Sequence, residues 1–476
     1  MLEASAHVQL KALLRQEGVP RWPHHLSLSR LVGRSLRRRD HTLIRLAAGS
    51  DPSWWISLLV PLALGDSPPV LVLRGDSRRR LLQVEWPRLR AAGLAPPLWD
   101  NLTAPADRAL WLLEPGDLVK AWRQGQLGDR QLVIPEAEQL EHELRQALSV
   151  TLGPADWDRL WRSHPHAEPS LAALHRRLGA RVLTQPGGTS RPVRLCASDE
   201  APLRQLLALL EPLPEPWSSW LHCGHDNWCS WARVDPTLLQ WQLVRQPLQP
   251  LRHLDDLFRN RGVVLIGDTV GDGAHYGLKA AVEVALADPP QEEPLPLYAP
   301  SRQPLPNTPR FADHLLDQCR RLVLGQGGLT VVLVDDGNLR TTLAAALAAE
   351  FGSRVCHQTT APDSNGVLCA SWDWWLAEQQ RLPLPCQVVV ALLPIASLED
   401  PLTAARVDEL RQQGRDWFRE LLLPEAIARL QRSLFGLRRG GGRLAVLDGR
   451  LRGRSWGGQV LRALDPWIDL TRLLPD

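Results

Sequence analysis

Lysine is almost missing. Lys11, Lys120 and Lys279 are the three lysines of a 476-residue chain, so of its 55 basic residues the remaining 52 are arginines. Any chemistry that needs a lysine inside a motif is confined to those three positions. Methionine occurs once, at Met1, and the arginine excess reads as compositional bias as readily as a set of phosphate- or carboxylate-binding forks. Among the aromatics, 20 Trp outnumber 2 Tyr and 5 Phe, so most indoles must serve packing. Cysteines are few and odd in number: Cys196, Cys223, Cys229, Cys319, Cys356, Cys369 and Cys386. They lack framework spacing and no signal-peptide pattern precedes them, which predicts a reducing, cytoplasmic setting. The most apolar run, Trp54 to Leu64, is broken by Pro61 and falls short of the roughly 20 residues that cross a bilayer.

What is there describes an ordinary soluble globular protein: 44% hydrophobic and 22% charged residues with a formal net charge of +3. The length predicts two or three domains. From His41 onward, short apolar runs alternate with amphipathic stretches, the pattern of a parallel sheet covered by helices. Strands are expected at Thr42 to Leu46, Val70 to Leu73, Ala109 to Leu113 and Gln131 to Ile134. The alternation lapses between about Leu152 and Trp231, where Leu/Arg-rich helical pattern, prolines and the cluster Trp217, Trp220, Trp228 and Trp231 predict a mainly helical insertion. Gly262 to Ile266 resumes the first pattern, and the Pro-rich stretch from Pro289 to Pro309 reads as a connector. Beyond it, strands are expected at Leu329 to Val334, Val367 to Ala370, Gln387 to Leu393 and Arg443 to Leu447, with helices over Leu339 to Phe351 and Leu402 to Leu423. The expected division is residues 1–150 and 233–293 for a first α/β lobe, 151–232 for the insertion and 294–476 for a second lobe.

The second lobe carries Leu393-Pro394-Ile395, Asp400-Pro401 and Ala405-Arg406, then Asp416-Trp417-Phe418, Leu423-Pro424-Glu425-Ala426, Leu430-Gln431, Leu447-Asp448-Gly449-Arg450 and Trp456-Gly457. In this order and spacing the segment resembles the C-terminal lobe of DinG-like helicases, bacterial relatives of the XPD helicases of superfamily two. In the first lobe, Leu46 to Ser57 stands at the phosphate loop, Val70 to Leu82 resembles motif Ia, Ile134 to Leu140 the DEAH box, and Val263 to Val270 the motif before the crossing between lobes. The resemblance implies two RecA-like lobes, ATP and Mg²⁺ in the cleft between them, and single-stranded DNA running across both.

The chemistry that the resemblance implies is largely absent. A phosphate loop needs glycines whose N–H groups wrap the phosphates, a Lys on the β/γ oxygens and a Ser/Thr on Mg²⁺. Here the loop reads Ala48-Gly49-Ser50-Asp51-Pro52-Ser53-Trp54-Trp55. Gly49, Ser50 and Ser53 are all that could still meet a nucleotide, and the two indoles are expected to pack into the vacated space. In the DEAH-like Pro135-Glu136-Ala137-Glu138, Pro135 replaces the metal-side carboxylate and Glu136 retains the other; both acids also suit the first turn of a helix. In the element resembling QxxGRLIR, the first arginine position falls on Phe435 or Gly436, and Arg438 or Arg439 can supply only the second. Glu136, Arg438 and Arg439 are thus the remnants of a catalytic set.

The iron–sulfur cluster of some relatives is excluded at its usual place, since no cysteine precedes Cys196. His222, Cys223, His225 and Cys229 lack the paired spacing of a zinc site. Arg37-Arg38-Arg39 and Arg78-Arg79-Arg80 could neutralise a nucleic-acid backbone, or serve only as solvated helix faces. The sequence reading is a helicase-like nucleic-acid-binding protein with a degenerate, inactive ATP site. The alternatives are an active ATP-dependent DNA helicase with an unorthodox nucleotide site, and a protein-interaction scaffold.

Overall fold

The computed structural model describes residues 2–18, 22–47, 50–105, 109–184, 191–224, 227–235, 238, 240–268, 278–286, 293–324 and 327–470. Short Val/Ile/Leu runs buried on both faces make strands, as parallel sheets require. These are β1 (Thr42–Leu46), β2 (Val70–Val72), β3 (Leu98–Trp99), β4 (Leu110–Leu113) and β5 (Leu132–Ile134). Next come β6 (Val150–Leu152), β7 (Val193–Leu195), β8 (Trp228–Asp235) and β9 (Gln240–Pro247), followed by β10 (Val263–Asp268) and β11 (Val282–Leu286). The first lobe is a seven-stranded parallel sheet in the order β11-β1-β10-β5-β2-β4-β3. Strand β10 lies between β1 and β5, so the chain does return to the first sheet after the insertion.

The second lobe is another seven-stranded parallel sheet, built from β12 (Leu295–Tyr298), β13 (Thr330–Leu333), β14 (Val355–His357), β15 (Val367–Ala370), β16 (Gln387–Val390), β17 (Arg443–Val446) and β18 (Trp467–Asp469). Their order is β14-β15-β13-β16-β17-β12-β18. Every strand read from the sequence falls in one of these two sheets. The strands that the reading missed, β3, β11, β12, β14 and β18, are short, lie at or near a sheet edge and are in part solvent-facing, so they lack the continuous apolar run that marks a central strand.

The insertion is mainly helical, with helices Pro154–Ser163, Glu168–Leu183, Ala197–Leu209 and Trp217–His222. It also contains an antiparallel sheet, β6-β9-β8-β7, which continues through β9 to Pro247, beyond the residue 232 expected from sequence. Its two long strands alternate by side. Ala232, Val234, Trp241 and Leu243 face the helices, together with Trp157, Trp217 and Trp220. Cys229, Trp231 and Val244 face away and pack on Leu402 and Ala405, in the second-lobe helix Pro401–Gln412. This alternation was hidden because Ser, Arg and Gln interrupt the apolar positions.

Candidate nucleotide cleft between the lobes

The C-terminal ends of β1, β5 and β10 open onto a cleft of about 380 Å³, closed on its far side by second-lobe residues that include Gln379, Leu382, Arg432 and Arg439. Directly after β1 the chain enters the helix Trp54–Leu64, which is apolar all round and buried through its length, the character of a core helix rather than a surface one. Helices Leu2–Glu17 and His25–Arg38 cover it. Trp54 and Trp55 stack with ring centroids 4.7 Å apart and are only 7% and 3% exposed. Trp54 lines the cleft beside Glu136. Buried His25 braces the helix through Nδ1, 2.6 Å from Ser57 Oγ, with Nε2 3.5 Å from Ser53 Oγ.

The turn before this helix is closed on itself. Ser53 N–H donates to Asp51 Oδ1 at 2.9 Å, Trp54 N–H to the Asp51 carbonyl at 3.2 Å, and Ser50 Oγ to the Ala47 carbonyl at 2.7 Å. Gly49 lies outside the described residues.

Glu136 sits in the left-handed region (φ 55°) just past buried Pro135 and accepts a hydrogen bond from Ser77 Oγ, with Arg74 Nε at 3.9 Å. Glu138 stands in the same turn, its Oε2 enclosed without a hydrogen bond. Burial first, then the neighbouring carboxylate of Asp268, push its pKa up to about 8, against a smaller opposing pull from Arg432. Asp268 ends β10 and meets Arg432 across the cleft in a bidentate pair, at 2.5 Å from Nε and 3.2 Å from Nη2. A second pair between the lobes joins Asp76 to Arg381 at 2.8 Å. The first-lobe wall therefore carries Glu136, Glu138, Asp268 and the indole of Trp54 beside Arg80, and of the second-lobe guanidiniums that line the cleft, Arg432 is committed to a carboxylate.

The remaining candidates fall in different places. Arg439 lines the cleft, whereas Arg438 turns away and donates to the carbonyls of Leu464 and Pro466, where burial lowers its pKa. Arg78, Arg79 and Arg80 form the helix Gly75–Arg80 that follows β2, on the sheet edge that carries the cleft. They pair with Asp100, Asp76 and the buried Glu85, respectively. Arg37, Arg38 and Arg39 precede β1 at the opposite edge, with Arg37 on Glu3 at 2.8 Å and Arg39 on Asp129 at 3.1 Å. His225 lies outside the described residues, and no group of three or more metal-binding side chains occurs among the described ones. Nor is any described helix long and apolar enough to cross a membrane. Sequence reasoning did not single out Asp268, Arg432 or the perturbed Glu138. For Asp268 the available signal was its place just past the apolar run Val263 to Ile266, within the segment that resembles the motif before the crossing.

In the second lobe the residues that carried the resemblance touch one another. Asp448, wholly buried, accepts from Leu393 N–H at 2.9 Å and from Arg450 Nη2 at 2.6 Å. Gly449 is required beside it, because a Cβ there would stand 2.6 Å from the Pro304 carbonyl. Asp400 caps the helix Pro401–Gln412 through Thr403 N–H at 2.8 Å, with Pro401 at the first helical position. Arg406 reaches Glu425 at 2.6 Å.

No family profile matches the chain. It is 26% identical over 217 residues, 42% of its own length, to a protein of Escherichia coli (strain K12) named ATP-dependent DNA helicase YoaA. A Haemophilus influenzae protein of the same name is 30% identical over 105 residues, 21% of the chain. The matches span only 34% and 16% of those relatives. Among solved structures, S. tokodaii Xpd4 superposes with a TM-score of 0.59 at 13% identity, covering 92% of this chain and 97% of that one. An apo XPD gives 0.57 at 12% identity, over 93% and 100%. The second-lobe residues in their order, the shared sequence and the two-lobe RecA-like fold together make the chain similar to the DinG/XPD-like helicases.

Proposed function

We propose that this protein is a helicase-like nucleic-acid-binding protein whose cleft between the lobes does not hydrolyse ATP. Asp51 carries the reading. A helix N-terminus attracts phosphate because its free N–H groups and dipole favour negative charge, and here the Asp51 carboxylate already takes the Ser53 N–H. Mg-ATP does not fit the other residues either. Trp54 and Trp55 stand where a Lys and a Ser/Thr would serve the phosphates and metal, Pro135 offers no carboxylate, and Asp268 is held by Arg432. Each missing group in a phosphoryl-transfer site costs orders of magnitude in rate.

Nucleic-acid binding rests on the family and on the arginines at the cleft edge. Arg78, Arg79 and Arg80 are the better candidates, since they share that edge and Arg37, Arg38 and Arg39 do not. Such binding is largely electrostatic and weakens steeply with salt. The division of the chain near residues 150 and 293, with the insertion's sheet running on to Pro247 beyond 232, belongs to the same proposal. The test measures Mg²⁺-dependent ATP turnover with and without single-stranded DNA, and DNA binding across a salt titration. No turnover together with salt-sensitive binding is expected, the binding reduced by alanine at 78–80. Turnover above background would restore the active-helicase reading, and no binding at low salt would leave a scaffold.

A further inference from the structure

A second cavity, of about 530 Å³, lies where the insertion meets the second lobe, away from the nucleotide cleft. Its wall holds Arg245 and Glu200, its rim Arg194 and Asp408, and Trp228 and Ser230 are among the other lining residues. Arg245, Arg204 and Glu200 are 2%, 8% and 5% exposed. The single Glu200 carboxylate serves both guanidiniums, at 3.4 Å from Arg245 and 3.7 Å from Arg204. Neither arginine forms another ion pair among the described residues. Arg245 donates to the Gly224 carbonyl at 2.8 Å, while its Nε is buried without a hydrogen-bond partner. The rings of Trp220 and Trp228, 5.4 and 5.9 Å from its guanidinium, offset part of the cost of burial. Among the described residues, two cations and one anion leave one net positive charge at the cavity, with Arg204 behind the wall and held by the carbonyls of Trp220, Leu221 and Cys223, and such a charge is costly to bury unless an anion completes it.

We infer that this cavity binds a phosphate monoester. At the rim, Arg194 meets Asp408 at 2.5 Å, with the two side chains 43% and 40% exposed. An exposed pair of this kind contributes little stability, so an incoming anion can take Arg194 from Asp408. Asp408 keeps its second partner, Arg411, at 3.5 Å, so the three arginines against Glu200 then offer two net positive charges, matching the roughly −1.5 to −2 of a phosphate monoester at neutral pH. A monocarboxylate would match only the inner arginines. The flank of Trp228 and the size of the cavity leave room for a ring attached to the phosphate. Because Arg194 belongs to the insertion and Asp408 to the second lobe, occupancy of the site is coupled to docking of the insertion.

Isothermal titration of the full chain at low ionic strength, with inorganic phosphate, AMP and acetate, tests the inference. Phosphate and AMP bind saturably, and acetate at least about tenfold more weakly. Arg245→Gln weakens phosphate binding by about tenfold or more. Asp408→Asn, which frees Arg194, tightens it several-fold, a gain that misfolding cannot imitate. Oligonucleotides with and without a 5′-phosphate separate the sources: a preference for the phosphorylated end, lost in Arg245→Gln, assigns a strand terminus, and equal binding of the two assigns a free phosphate ester. Absence of phosphate and AMP binding overturns the inference. So does binding that neither substitution changes, which for AMP would point to the nucleotide cleft instead.

Discussion

The two lobes share an architecture and differ in what they keep. Each is a seven-stranded parallel sheet, and each presents segments through which the chain resembles DinG/XPD-like helicases. In the second lobe those residues hold one another: Asp448 takes Leu393 N–H and Arg450, Arg406 takes Glu425, and Asp400 caps its helix. In the first lobe the corresponding loop turns inward, with Asp51 on its own backbone and two stacked tryptophans behind it. The second-lobe residues thus brace the fold, while the space beside the first-lobe loop is filled by its own packing.

That contrast fails if the first-lobe tryptophans are dispensable. Trp54→Lys with Trp55→Thr, the substitution that restores the ligand-binding residue types, is expected to destabilise the chain by about 5 kcal/mol without producing ATP turnover, since it opens a cavity and buries a charge. Urea denaturation and an ATPase assay read the two parts. Asp448→Ala tests the other lobe. It strands a buried N–H and frees Arg450, and a loss of about 3 kcal/mol by the same denaturation is expected. A loss below about 1 kcal/mol would show that the second-lobe contacts brace nothing.

Glu138 gives a pH-dependent effect, smaller at any one pH step. In the unfolded chain its carboxyl ionises near the ordinary 4.5, while in the cleft it holds its proton to about 8. The folded form therefore binds the extra proton between these values. The contribution is full at low pH, falls as pH rises from about 4.5 to about 8, and is level above, with a slope of at most about 1.4 kcal/mol per pH unit. Glu138→Gln should flatten that slope in a series of melts. Least of all, Arg39→Ala removes a pair whose side chains are 50% and 80% exposed and should change stability by less than about 0.5 kcal/mol.

The central strands were legible because burial on both faces leaves an apolar run that little else produces, as Thr42 to Leu46 and Val367 to Ala370 illustrate. Edge strands such as Val282–Leu286 alternate exposure and carry no such mark. The antiparallel sheet of the insertion was masked by polar residues on a two-sided surface. At the site, the burial of Trp54 and Trp55 was legible because the loop carries no lysine and two indoles where a nucleotide would sit. The Asp268–Arg432 pair joins residues 164 positions apart, and no local pattern couples them; only the meeting of two lobes does.

The insertion emerges from the first lobe and rests on the second, through Cys229, Trp231 and Val244 against Ala405 and through Gln249 on Glu409 at 2.5 Å. The lobes are thus fastened along two separate seams, this one and the pairs Asp268–Arg432 and Asp76–Arg381 at the cleft. Rotation of the lobes about either seam would have to break contacts along the other, so any opening involves both the insertion's apolar contact and the cleft pairs.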